Sequence, residues 1–551
     1  MRTTNKRAVN AIRMERLSRS EVWKWQRRYF ERQGIDAWRS GATPHHVTSS
    51  PFIANAYAKI VRAFIQDCRA GSAALDVTQP LYVVELGSGS GRFAHLFLKN
   101  LVTHQGCVNP EIPIKYVMTD FTERNLEYCR RHPWLQPFIQ RGMLDFACFD
   151  VARDRKLRLD ESGDTISGPG LKNPLVVIAN YVFDSVPQDA FYVSGGELFE
   201  TLVKVSRPNH EHSASSDSEI LSHLEMSCQH QRVSQGYYSE SAWNRILSDY
   251  QRRLDDVAFL FPAAALKCIG NLRRLSPERM LLLSGDIGYS DDDALQRGEG
   301  APIMNVHGSV SMMVDYQIIG DYCRQFGARV LHPARRVKSL NISAFIFGEH
   351  LHEFSGTRQT YAETIEAFGP DDFATLKKGI AASYDALSFD QILAFLRLSC
   401  WDYKRFWECI PAFKKHLIEM SDAQKEDLRE VILKVWDSYL PIGEENDLAF
   451  EMGTLLLEID AYDAAIDFFK HSIALYGQAP GTAYNLGVCY YRLGEHKLAL
   501  QRVRQALKLD PGFELARSFQ AELTSAVSRK AIRSRRRQAA ASTDEMQISP
   551  V

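Results

Sequence analysis

The stretch VVELGSGSGRF, residues 83–93, constrains this chain more than any other part of it. Three glycines alternate with serines directly after an apolar run, and Glu85 stands two residues before the first glycine. The run LYVVEL reads as a buried parallel strand, and RFAHLFLKNL has the apolar spacing of an amphipathic helix. Glycines between a strand and a helix let the backbone approach a ligand at the helix N-terminus, where free N–H groups point outward. Taken alone, such a loop fits several nucleotides, or a turn that holds no ligand.

The surrounding pattern places the loop in a larger sheet. The runs LYVVEL, IKYVMTD, PFIQ and PLVVIAN read as strands, and ERNLEYCRRH between them reads as a helix. Alternation of this kind predicts an α/β, doubly wound parallel sheet. RMLLLSGDIGY and SLNISAFIFG read as late strands of the same sheet, with the helices of 240–275 as an excursion. SRPNHEHSASSDSE (206–219) reads as a polar insertion, and its histidines lack a spacing partner, so no metal site is expected. Residues 1–75 read as helices around the loop SGATPHHVTSSP, a cofactor lid preceding a domain over 76–356.

After residue 357 strand signals stop. AFEMGTLLLEIDAYDAAIDFFKHSI and AYNLGVCYYRLGEHKLALQRVRQAL align so that Gly453 falls on Gly487 and Ala465 on Ala499. The offset of 34 resembles the tetratricopeptide repeat, whose units stack helix pairs. An all-α domain of this kind is expected over 357–527, with a degenerate unit at 389–417. Residues 528–551 form a basic tail, read as a solvated end of the last helix or as a nucleic-acid or localisation patch.

With 551 residues the chain exceeds one ordinary core, and its net charge of −1 gives no general attraction to nucleic acid or anionic membranes. Ten scattered cysteines without a C-x-x-C pair argue against a zinc site or a disulfide framework and for a reducing cytoplasm. The first residues lack the apolar core of a secretory signal, and VAFLFPAAAL is too short to span a membrane.

Glu85 bears on the ligand. A carboxylate at the strand end repels a pyrophosphate and attracts a sulfonium-bearing amino-acid cofactor. The segment E-L-G-x-G-x-G-R resembles motif I of the class I S-adenosylmethionine (SAM)-dependent methyltransferases. The resemblance implies a Rossmann-like domain that holds SAM, and its product S-adenosyl-homocysteine, on Glu85, Gly87, Ser88, Gly89 and Gly91. It also puts Asp120, with Phe121 beside it, on the ribose side; Asp120 can equally cap the following helix. Asp145 and Phe146, after the third strand, are candidates for the adenine, against a plain turn.

The fourth strand and its exit, VVIANYVFDSVPQDAFYVSGGELFETLV, resemble the MidA-type methyltransferases, relatives of a mitochondrial complex I assembly factor. Asn180, Asp184, Pro187, Phe191, Glu200 and Val203 fall on that family's N-E-x-x-D-x-x-P…F…E-x-x-V pattern. HHVTSSPFIANAYAK resembles the family's segment over the cofactor, with Thr48 and Pro51 in place. LLLSGDIGY resembles its Asp-Tyr-Gly strand, and VSMMVDYQIIGDYCRQFGA its Val-Asp-Phe helix start. The resemblance spans residues 45–347 and implies methylation of a protein nitrogen, arginine in the characterised relative. Tyr181 stands where the family has Glu, Ile287 replaces a Tyr and Met313 a His, which puts arginine specificity in question.

The expected chemistry is an in-line methyl transfer in which holding the nucleophile in contact matters most. Asn180, which also borders the cofactor, orients an acceptor nitrogen through its carbonyl or serves as a backbone-bonding turn residue. Asp184 receives the proton or caps a helix. Tyr181 walls the pocket or packs. Three readings stay open: a protein methyltransferase whose repeats recruit its substrate, a small-molecule methyltransferase whose repeats serve assembly such as a homodimer, and a scaffold without turnover.

Overall fold

The computed structural model describes residues 14–524 apart from 42, 44–45, 72–74, 104–111, 207–220, 222–223, 235, 277–278, 307, 336–339, 349–353 and 382. The basic tail, His45 and nearly all of the 206–219 insertion therefore lie outside the described residues. The chain divides into two compact units, residues 1–380 and 381–551.

The first unit is built on seven strands: β1 (Leu81–Leu86), β2 (Ile114–Asp120), β3 (Leu144–Cys148), β4 (Leu175–Asn180), β9 (Met280–Asp286), β10 (Arg329–Leu331) and β11 (Asn341–Phe347). Their order across the sheet is β10-β11-β9-β4-β1-β2-β3. Strands β1, β2, β3, β4 and β9 run parallel, and β11 is antiparallel to both β9 and β10. The chain starts in the middle of the sheet and winds outward on both sides, the doubly wound, Rossmann-like order expected from the sequence. Its switch point lies between β1 and β4, where ligands of such sheets bind. All six residues of β1 and all seven of β9 are buried, as strands covered on both faces require.

Two sequence expectations need correction. PFIQ is not the third strand: Gln136–Gln140 is a short helix with a proline in its first turn, a position where the missing N–H costs nothing. The third strand is LDFAC, in which Asp145 breaks the apolar run. The stretch after β4 is also richer in strands than expected. Asp189–Ser194 (β5), Glu197–Ser206 (β6), Glu225–Arg232 (β7) and Val257–Phe261 (β8) form a second, antiparallel sheet, joined by the two-residue strand Glu15–Arg16. Phe191 and Phe259 stack across β5 and β8 at 5.5 Å, inside a core shared with the main sheet.

Helices α1 (Glu21–Gln33) and α2 (Pro51–Ala70) lie where the N-terminal helices were expected. Ser50 caps α2 by accepting from Ile53 N, and Pro51 opens it. Helix α3 (Arg92–Thr103) follows the glycine loop and α4 (Glu123–Arg131) follows β2. The boundary between units falls later than residue 357. Helix α5 (Ser355–Tyr361) is held to α2 by Asp67, whose carboxylate accepts from Thr357 N at 2.7 Å and Thr357 Oγ1 at 2.6 Å.

Among its described residues the regular elements of the second unit are all helices. Phe389–Leu398 and Tyr403–His416 pair where the degenerate repeat was expected. Leu448–Glu458 then pairs with Tyr462–Tyr476, and Pro480–Arg492 with His496–Leu509. The glycines of the repeat face equivalent partners: a Cβ on Gly453 would lie 2.8 Å from Phe469, and one on Gly487 would lie 2.7 Å from Val503. Ala465 and Ala499 are fully buried at the matching crossing points. Small residues recur because the paired helices touch there.

Candidate functional site

A cavity of about 520 Å³ opens at the carboxyl edge of β1, β2 and β4. Its floor is the glycine loop. Gly87, Gly89 and Gly91 all have positive φ, at 62°, 52° and 76°, a region that L side chains rarely adopt. Gly87 and Gly89 line the cavity, with Ser88 between them. Gly91 turns behind it: Gly91 N donates to Ser88 O at 3.0 Å, and a Cβ there would lie 3.0 Å from Cys129 Sγ.

Glu85, the next-to-last residue of β1, precedes the loop and is buried. Burial pushes its carboxyl up to about 8, with the nearby Tyr116 and Ser88 hydroxyls offsetting part of that effect. Neither hydroxyl completes a hydrogen bond with it, and Glu85 Oε2 and Ser88 Oγ lack partners. A buried acceptor left open costs free energy unless something completes it.

Asp120 ends β2 and lines the cavity, and the N-cap position of α4 belongs to Thr122 rather than to Asp120. Its Oδ1 accepts from Thr122 N at 2.8 Å at the entrance of α4, while Oδ2 accepts from Gly89 N and Asn125 Nδ2, each at 3.3 Å. Burial raises its carboxyl, and the Thr122, Asn125 and Gly89 donors pull it back. It thus ties the glycine loop to the helix while lining the cavity. Phe121 beside it also lines the cavity, with the Arg27 guanidinium 4.7 Å from its ring centre.

Asp145 and Phe146 are not at the cavity. Asp145 sits inside β3, where Oδ1 accepts from Phe146 N and Glu161 N at 2.8 Å and Oδ2 from Ser162 N at 3.1 Å. Phe146 is fully buried under Arg130. With LDFAC as the strand rather than the segment after it, the cavity instead receives Phe149 and Asp150, which follow its end.

The exit of β4 supplies the opposite wall. Tyr181, Asp184 and Asn180 all line the cavity. Tyr181 adopts φ 53°, an uncommon value for a residue with a side chain, and its N–H donates to Gly285 O at 2.9 Å. Asp184 lies in the single 3₁₀ turn Phe183–Ser185, so it caps no α-helix. Its Oδ1 accepts from Ser185 Oγ at 2.7 Å, and its backbone N–H donates to Asp286 Oδ1 at 3.5 Å. Burial and then the Asp286 charge hold the Asp184 carboxyl well above the carboxylate range. Burial raises Asp286 to about 6, with the Tyr316 hydroxyl, 2.8 Å from Oδ2, opposing it. Asn180 Oδ1 accepts from the Tyr57 hydroxyl at 2.9 Å, which uses one of its two lone pairs.

The roof comes from the N-terminal segment. Phe30 of α1 stacks on Trp38 at 5.6 Å, and a Cβ on Gly89 would lie 2.9 Å from the Trp38 ring. Gln26 fastens α1 across the site, donating to Ser185 O at 3.2 Å and accepting from Val310 N at 2.6 Å. Thr48 is buried and lines the cavity. Sequence reasoning missed Tyr57, Trp38, Gln26 and Asp286. Only Asp286 had a local signal, an acid at the carboxyl end of a buried strand.

Residues 480–513 match the tetratricopeptide repeat family model. No curated protein matches the chain. A protein of Burkholderia thailandensis, solved with S-adenosyl-homocysteine and described as a candidate methyl transferase, is 12% identical; the match covers 59% of this chain and 87% of that one, with a TM-score of 0.38. MamA of Desulfovibrio magneticus is 16% identical over 32% of this chain and 98% of its own, TM-score 0.23. A thermophilic TPR protein of Thermus thermophilus is 14% identical over 32% and 92%, TM-score 0.22. Among the described residues no helix is long and apolar enough to cross a membrane.

Proposed function

We propose that the first unit is a SAM-dependent methyltransferase and that its acceptor is a nitrogen on a protein brought in by the helical repeats. The observation that carries the reading is the cradle formed by the glycine loop. Gly87 and Gly89 leave no room for a Cβ, and Glu85 Oε2 and Ser88 Oγ are buried there without partners. These residues suit a cationic amino-acid cofactor: Glu85 for the positively charged end, Asp120 for the ribose hydroxyls and Phe121 for the base.

Bound SAM supplies an electrophilic methyl group on a sulfonium. The chain's own part is to exclude water, align the acceptor and take a proton. Phe30 and Trp38 line the cavity with stacked apolar rings, which favour keeping water off the reactants and holding them in contact. Asp184 and Asp286 cannot both ionise in one buried site, so the pair carries one proton and one negative charge near neutral pH. That charge draws a cationic nitrogen, and the pair receives the proton the acceptor loses. Tyr181, in place of a family glutamate, walls the acceptor side.

Purified full-length protein incubated with methyl-labelled SAM and a lysate of its own organism tests the reading. Label is expected in a protein band, on nitrogen. Label confined to small metabolites would move the acceptor to that class, and no transfer with SAM bound would leave a scaffold.

A further inference from the structure

Asn180 ends β4 beside the glycine loop. Ala179 pairs with Leu86, and a Cβ on Gly87 would lie 3.0 Å from Val182 Cγ2. The Asn180 side chain therefore lines the cavity next to the loop. Its two ends differ: Oδ1 is taken by the Tyr57 hydroxyl, while Nδ2 is buried without a partner. An amide oxygen only accepts and an NH₂ only donates, so the amide's orientation decides what the strand end can bind.

That orientation is built in. Tyr57 is fully buried in α2, and burial together with Asp286 holds its hydroxyl well above the ordinary tyrosine range, so it stays a donor. Only the amide oxygen can satisfy it. Gly285, the register partner of Asn180 on β9, makes room for the pair: a Cβ there would lie 2.8 Å from Asn180 Oδ1 and 2.9 Å from the Tyr57 oxygen. Across the loop, Glu85 presents an open acceptor. An open donor and an open acceptor flanking one loop match the carboxylate and ammonium of an amino-acid group.

We propose that Tyr57 is a positioning residue that locks the Asn180 amide with Nδ2 toward the cavity, where it receives the carboxylate at the amino-acid end of the cofactor. The proposal rests on the SAM reading and deepens it. Calorimetry of the full chain compares S-adenosyl-homocysteine with 5′-methylthioadenosine, a thioether that lacks the amino acid. Tyr57→Phe frees the amide to turn and is expected to weaken S-adenosyl-homocysteine about tenfold or more, the scale of one hydrogen bond to a charged group, and to leave methylthioadenosine unchanged. Asn180→Asp, which sets an acceptor against the carboxylate, is expected to lose more, and adding Tyr57→Phe to it should cost little further. Equal losses for both ligands, or no loss for S-adenosyl-homocysteine, would overturn the proposal. Should Tyr57→Phe not fold, the contrast of Asn180→Asp with Asn180→Ser decides, since only a carboxylate-facing donor makes Asp the worse of the two for S-adenosyl-homocysteine alone. Wild-type protein that binds neither ligand would remove the cofactor reading itself, and this proposal with it.

Discussion

Asp184 and Asp286, 102 residues apart in sequence, meet at the edge of the sheet, where the Asp184 N–H donates to Asp286 Oδ1 at 3.5 Å. Both side chains are buried, and each raises the cost of ionising the other. The pair takes up a second proton as pH falls through about 6. Methyl transfer at saturating SAM should therefore decline on the acid side of that value. Asp184→Asn should lower turnover about 10²-fold with S-adenosyl-homocysteine affinity intact. A rate unchanged across that range, or normal turnover in the variant, would make the pair structural.

The same pair has an opposite consequence for stability. A carboxyl raised in the folded state stabilises below its unfolded pKa, and that contribution is lost as pH rises through the folded value, here about 6 for Asp286. Asp286→Asn should thus be less destabilising at about pH 8 than at about pH 5, by denaturant melts. The reverse ordering would contradict the burial argument.

Glu85 makes a third prediction. Raised to about 8, it is largely neutral at pH 7 in the free protein. A cationic ligand needs it ionised, so binding of S-adenosyl-homocysteine near pH 7 should release a proton. Calorimetry in buffers of different ionisation heats should show this release, and Glu85→Gln should abolish it. No proton exchange in the wild type would detach Glu85 from the ligand.

The helical unit can be tested by truncation. Because Asp67 ties Thr357 to α2, the cut belongs after Ile380 rather than at residue 356. The 1–380 piece should keep SAM binding and activity on small or peptide acceptors, and lose efficiency on the full-length target. A tethered substrate reaches about millimolar local concentration, which the truncated enzyme forfeits. Equal rates on the intact target would rule out recruitment.

What the sequence revealed and what it hid follow one physical division. The glycine loop, Glu85 and Asp120 were legible because strand, turn and helix are contiguous there. The third strand was misread because Asp145 interrupts LDFAC, and only the N–H groups of Phe146, Glu161 and Ser162 make that carboxylate tolerable inside. The Tyr57–Asn180 bond joins residues 123 apart, and the Trp38 roof over Gly89 is likewise tertiary. No local pattern reports such contacts. The helical repeat was legible for the opposite reason: Gly453 and Gly487 touch Phe469 and Val503 at one shared spacing, so each copy displays its contact locally.

The most direct test of the account is titration of the full chain with SAM, wild type against Gly87→Val. Gly87 has φ 62° and a Cβ there would already lie 3.0 Å from Val182, so valine fills the floor of the cradle. The account predicts specific, one-to-one binding by the wild type and none by the variant, with the far-UV spectrum preserved and the melting temperature lowered by the strained φ. Failure of the wild type to bind SAM, or equal affinity in a folded Gly87→Val, would contradict it.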